Sequence, residues 1–318
     1  MNIASLFERR SLLKAAAALG GLSTLFERVH VAHADERSKD AVAEGPSGEL
    51  RMADIPLSSN TKVTVERRGQ VVLIGINRPY IHNRIDPEAY SGLAKAYYQY
   101  DHDPSLRAAV LFGHGDNFSR GIDVDAFQAI AASDRPRTTE SGTTDPLAKT
   151  TRLSKPLVVV VHGDTWNMGH ELFLAADIRV AAADARFGQD ENTHGRFPGG
   201  GATIRFVHEA GWGNAMRYML TGDHWSAEEA LRMGVVQGLS PTPVAALEAG
   251  IEFAEKIAAC GPLGIKTTLA SAHLAIDASQ ADALSKLNAQ YGALYRTEDF
   301  REGRKAEAEG RPPIYQGK

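Results

Sequence analysis

From Thr61 onward, apolar and polar residues alternate in runs that lay out strands and helices. Val63 and Val65 alternate with polar neighbours, and "QVVLIGIN" (70–77) follows as a β-branched strand closed by Arg78-Pro79. "PEAYSGLAKAYYQYDHD" reads as a helix, with Asp86 as its cap and Pro87 in its first turn. "RAAVLFGHG" is the next strand, ended by glycines, and "KPLVVVVHGD" is a third, apolar on both faces as a covered strand should be. "MGHELFLAADIRVA" runs from helix into strand, and "ARFGQDENTHGRFPGGGATIRFVHEAG" reads as loop, glycine run and helix. Ser226, with Glu229 three residues on, opens a capped helix that stops at Gly234. From Ala245 to Arg304 almost everything is helical. Strands alternate with helices early and helices dominate late, which describes one α/β domain with a helical C-terminal extension. The core is placed at 59–255 and the C-terminal helical region at 256–318.

The first 58 residues follow different rules. Arg9-Arg10 and Lys14 precede a short apolar run, Leu12 to Phe26, interrupted by Gly20-Gly21 and followed by Ala32-His33-Ala34. A basic start, an apolar stretch and an A-x-A ending are the three parts of an export signal, here 1–34. The paired arginines resemble a twin-arginine signal, which implies a periplasmic or exported protein; retention of this segment as an amphipathic helix implies a cytoplasmic one. The run is too short for a stable membrane span. Residues 35–58, polar with Gly45-Pro46-Ser47-Gly48, read as a linker.

Composition narrows the function. The 318 residues are 43% hydrophobic and carry a formal net charge of −4 without a basic block, so a nucleic-acid partner is not expected. The single cysteine, Cys260, excludes an internal disulfide framework, and no histidine or acid spacing suggests a metal triad.

Two loops have the form of catalytic turns. Phe118-Ser119-Arg120-Gly121-Ile122-Asp123 and Asn167-Met168-Gly169-His170-Glu171 each join a strand to a helix, so each can present backbone N–H groups. Two converging donors can hold a carbonyl oxygen that gains negative charge. With "INRPYIHN" before them and "FGQDE", "PGGG" and "LTGDHWSAEEALRMGVV" after them, in this order and spacing, they resemble the crotonase (enoyl-CoA hydratase/isomerase) superfamily from about Thr61 to the C-terminus.

That resemblance implies a spiral of ββα units, with C-terminal helices that assemble trimers or dimers of trimers. It implies oxyanion donors at the N–H groups of Ile122 and Met168, and an acid/base pair at Glu171 and Glu191. The substrate is expected to be a small molecule, with no cofactor beyond CoA as part of it. Lys266 is a candidate contact to CoA, or simply a solvated helix residue. Asp177 reads as structural, pairing with Arg179 or a backbone turn.

The pattern is also broken. Asn167 and Met168 stand where hydratases keep glycines, and a positive φ at Met168 would strain it. Arg120, His170, Asn192, His194 and Arg196 make the expected pocket more polar and more crowded than one for a fatty acyl chain. His82, Asn167, Asn192 and His194 are expected to border it. The histidine beside Glu171 also resembles the β-diketone hydrolase branch of the superfamily, which implies a rival reading, a CoA-independent C–C hydrolase with His170 as base. A third is a non-catalytic binding protein of the same fold. Export sharpens the contest, because CoA thioesters are cytoplasmic metabolites.

Overall fold

The computed structural model describes residues 61–131 and 141–315; the signal and linker segments lie outside the described residues. A six-stranded sheet carries the fold. It comprises β1 (Val63–Arg68), β2 (Val71–Ile76), β3 (Ala108–Gly113), β4 (Leu157–Val161), β6 (Ile178–Ala182) and β9 (Gly238–Ser240), in that spatial order. β1 pairs antiparallel with β2, and every later neighbour is parallel. β2, β3 and β4 are buried along their whole length, as the unbroken apolar runs require of strands covered on both faces.

One face is covered by α7 (Pro243–Ala258), whose Ala246, Leu247 and Ala254 pack on Val110, Val158, Val160 and Val180. The opposite face meets α1 (Pro87–His102), which buries Leu93, Tyr97 and Tyr100. Asp86 caps α1 by accepting from Ala89 N at 2.8 Å. Ser226 caps α6 (Ala227–Arg232) in the same way, but Glu229 does not complete a capping box. Its carboxylate is taken by Arg232 at 2.6 Å and by the Tyr218 hydroxyl at 2.9 Å.

A second, three-stranded sheet was not legible as strands. It is built from β5 (Asp164–Trp166), β7 (Arg186–Gly188) and β8 (Trp225–Ser226). The run "KPLVVVVHGD" holds β4 and ends on Asp164, the first residue of β5 in the other sheet, after a turn at Gly163, whose φ of 51° suits glycine. Strands of two or three residues are shorter than any window in which alternation can be counted. The helix expected after the Phe118–Asp123 loop is α2 (Val124–Ala131).

The remaining helices are α3 (Met168–Leu174), α4 (Ala202–Ala210), α5 (Trp212–Thr221), α8 (Pro262–Tyr295) and α9 (Glu298–Glu309). α9 folds back on the Glu191–His194 turn, where the Tyr315 hydroxyl donates to Thr193 O at 2.7 Å. The C-terminal region thus packs beside the segment that carries Glu191. Among the described residues no helix is long and apolar enough to cross a membrane.

Candidate active site

The first loop is held from both sides. Ser119 N donates to Asp164 O at 3.0 Å and Trp166 N to Ser119 O at 2.9 Å, which zips the loop onto β5. Ile85 N donates to Gly121 O and Asp123 N to Ile85 O, each at 2.8 Å. This pairing uses the groups on either side of Ile122, and among the described residues no acceptor takes the Ile122 N–H. Met168 opens α3, so its N–H is one of the orphan donors of a helix start, and it too has no acceptor among the described residues. The loops converge: a Cβ built on Gly121 would lie 2.9 Å from Asn167 Cβ and 3.4 Å from Met168 N.

The positive φ anticipated as strain on Met168 falls one residue earlier. Asn167 adopts φ 52°, ψ −120°, a region that favours glycine. A two-way clasp holds it there: Asn167 Nδ2 donates to Asp190 Oδ1 at 2.8 Å, and Asp190 N donates to Asn167 Oδ1 at 3.0 Å. Burial opposes the charge of Asp190, yet hydrogen bonds from His224 and Asn167 outweigh it and hold this carboxyl below its usual range.

Glu171 lies in the first turn of α3 and is 3% exposed. Its Oε1 accepts from Gly200 N at 2.6 Å and Ala202 N at 3.3 Å, so the carboxylate faces the N-terminus of α4, where negative charge is favoured. Glu191 is buried at the start of a 3-10 turn, where Gln189 Nε2 lies 3.0 Å from each of its oxygens. Burial, and then the neighbouring charge of Glu171, push the Glu191 carboxyl well above its ordinary value. The two acids thus sit in unlike surroundings, Glu171 against backbone donors and Glu191 pushed toward its protonated form, an asymmetry that acid/base chemistry can use.

A cavity of about 240 Å³ lies between these groups. Ile122, Met168, Glu171, Glu191, Asn167 and His194 all line it. Two expected wall residues do not. His82 is exposed in a left-handed turn with its Nδ1 3.2 Å from Asn117 Nδ2. Asn192 is exposed and donates to Met219 O at 2.6 Å. His170, read as a hydrolase base, also faces away from the cavity. It is fully buried among Phe173, Phe187, Phe206 and Trp225, and burial lowers its pKa to about 4. Asp177 accepts at 2.8 Å from the N–H of Leu157, the first residue of β4, so it serves a distant strand end and not a local turn, while Arg179 pairs with Glu209 at 2.6 Å.

The sequence model described as enoyl-CoA hydratase/isomerase matches residues 66–318.

The chain belongs to the enoyl-CoA hydratase/isomerase family.

Within that family it is 32% identical to the enoyl-CoA hydratase EchA19 of Mycobacterium tuberculosis, over 82% of this chain and 99% of that protein. It is 32% identical to (E)-benzylidenesuccinyl-CoA hydratase of Thauera aromatica, over 80% of this chain and 99% of that protein. The crystal structure of a probable enoyl-CoA hydratase/isomerase from Mycobacterium abscessus superposes with a TM-score of 0.66 at 39% identity, covering 81% of this chain and 99% of that one. The α/β fold of the family is therefore the fold of this chain.

Arg120, read from the sequence as making the pocket more polar, does line it, whereas several other lining residues were not singled out: Arg84, Trp166, Asp190, Gly200 and Glu307. Asp190 and Gly200 sit inside the motifs "FGQDE" and "PGGG", where the signal lay unread. Glu307 had no local signal, because only the return of α9 brings it to the cavity.

Proposed function

We propose that this member of the enoyl-CoA hydratase/isomerase family adds water across the α,β-double bond of an enoyl thioester. The observation that carries the reading is the pair of buried acids, Glu171 and Glu191, lining one cavity together with Ile122 and Met168. In this reading the two N–H groups hold the thioester oxygen as it gains charge. Glu171 takes a proton from water as the hydroxyl joins the β-carbon, and Glu191 delivers its proton to the α-carbon of the enolate. The proton taken by Glu171 then restores Glu191, so the pair ends as it began. The hydratase names of the relatives support the same chemistry. No observation favours the hydrolase reading, because His170 has neither access to the cavity nor a near-neutral pKa.

Two further parts of the reading go with it. Apolar side chains exposed on α5 and α8, Trp212, Leu220, Leu263 and Leu274, support assembly into a homotrimer or dimer of trimers, which light scattering of the purified chain measures. The twin-arginine pattern at Arg9-Arg10 supports export of the folded chain. Export would remove the protein from the cytoplasmic CoA pool, so the proposed reaction concerns the enoyl thioester group and the compartment sets its carrier. N-terminal sequencing of the native protein reads the compartment: a start at Asp35 supports export, and a start at Met1 contradicts it. The chemistry itself is tested by following loss of enoyl thioester absorbance with the wild type and with Glu171→Gln and Glu191→Gln.

A further inference from the structure

Among the described residues, buried cations are matched to acceptors, with one exception at the cavity. Arg78 reaches Asp86 at 3.1 Å and Arg84 O at 2.6 Å. Arg179 reaches Glu209 at 2.6 Å, Val235 O at 2.7 Å and Ala176 O at 3.0 Å. Lys155 reaches Asp103 O at 2.6 Å and Tyr100 O at 3.0 Å. Arg196 is 7% exposed and lines the cavity, yet among the described residues no carboxylate pairs with its guanidinium. Its Nε is buried with no acceptor. An isolated buried charge is costly, and a guanidinium offers a fork of donors suited to a carboxylate.

The acids around the cavity are occupied elsewhere. Glu171 accepts from the amides of Gly200 and Ala202. The Glu191 carboxyl feels the charge of the Arg196 guanidinium without a hydrogen bond to it, is nonetheless driven toward its protonated form by burial and Glu171, and takes the Gln189 amide. Asp190 is held by Asn167 and His224 at 2.8 and 3.0 Å, and Glu307 pairs with Arg304 at 3.0 Å. Arg196 also sits at the reacting end of the cavity. Its backbone N–H donates to Glu191 O at 2.8 Å, so it belongs to the turn that carries the acid.

We propose that Arg196 is the counter-ion for a carboxylate carried on the acyl group, and that the protein acts on enoyl thioesters of dicarboxylic acids. This rests on the enoyl thioester reading above and names its substrate class. The carbonyl end of such an acyl group is fixed by Ile122 and Met168, and its free carboxylate accepts from the guanidinium fork.

The test uses binding, which does not depend on turnover. Glutaryl and pentanoyl thioesters, equal in chain length and differing in one carboxylate, are titrated into the full chain by calorimetry. Each acyl group is presented on CoA and on N-acetylcysteamine, which carries no phosphate. The glutaryl esters are expected to bind about tenfold tighter than the pentanoyl esters on both carriers, a difference of about 1.4 kcal/mol. Arg196→Met should collapse that ratio to within about twofold and Arg196→Lys should retain part of it. Circular dichroism checks that both variants fold, and Arg196→Lys serves if the methionine variant does not. Equal affinity for the two acyl groups, no detectable glutaryl binding, a ratio well above twofold in Arg196→Met, or an undiminished ratio in Arg196→Lys overturns the proposal. A preference seen on CoA alone, or equal weakening of both CoA esters, assigns Arg196 to a carrier phosphate and also overturns it. A chain that discriminates in binding but hydrates neither enoyl ester contradicts the hydratase reading instead.

Discussion

His170 Nδ1 stands 2.5 Å from Gln189 Oε1, and the same amide directs Nε2 to both oxygens of Glu191. Because the amide oxygen can only accept, His170 must supply the proton from Nδ1 and be neutral with Nε2 bare. Consecutive helical residues are turned by about 100° from one another, so Glu171 reaches the cavity while His170 enters the aromatic core behind it. The histidine that reads as a hydrolase base instead fixes the amide that fixes the acid.

The pH dependence of stability follows from that burial. The folded pKa of His170 is about 4 against an ordinary 6.5, so the unfolded chain binds the extra proton first. This contribution is intact above pH 6.5 and is lost as pH falls toward 4, by about 3 kcal/mol in total. Buried His114 and His162 are shifted down as well and add to the same slope. His170→Leu should lower stability at pH 7, because Gln189 loses its donor, and should flatten the slope between those limits. Denaturant unfolding at stepped pH measures both; an unchanged slope contradicts the assignment.

Gly200 is where backbone and acid come closest. A Cβ there would lie 2.1 Å from Glu171 Oε2 and 2.5 Å from its Cδ. Gly200→Ala should push the carboxylate aside and reduce kcat by about a hundredfold, the scale expected for an ångström of misplacement. Thermal unfolding should remain cooperative, which separates displacement of one group from loss of the fold.

Asn167 holds the second donor loop through its clasp on Asp190. Asn167→Ala keeps the unfavourable φ and loses both hydrogen bonds, at a cost of about 2 kcal/mol in stability. With the Met168 N–H no longer aimed, kcat should fall by about tenfold or more. Asn167→Gly relieves the backbone but not the clasp, so it should recover stability more than activity. Recovery of both would show that the clasp has no part in aiming the donor.

The strands β2, β3 and β4 were legible because each is an unbroken apolar run, and Asp86 and Ser226 announced their helices by chemistry that acts within three residues. Glu171 and Glu191 were legible only as a spaced pair in family motifs. The orientation of His170 was not, because every residue of α3 is buried and an element without a polar face gives no periodicity to read. His82 and Asn192 looked like pocket residues from sequence neighbourhood, yet the chain turns them outward at a left-handed residue and along a 3-10 turn. The solitude of Arg196 depends on what every other acid in the site is doing, which no local pattern encodes.

The most direct measurement is the steady-state hydration of crotonyl-CoA and glutaconyl-CoA by the wild type, Glu171→Gln, Glu191→Gln and the double variant. The account predicts turnover by the wild type and a loss in kcat of about 10²–10⁴-fold in each single variant. The double variant should be little worse than either, since the two acids act as one unit. Hydration that persists near the wild-type rate in the double variant would contradict it.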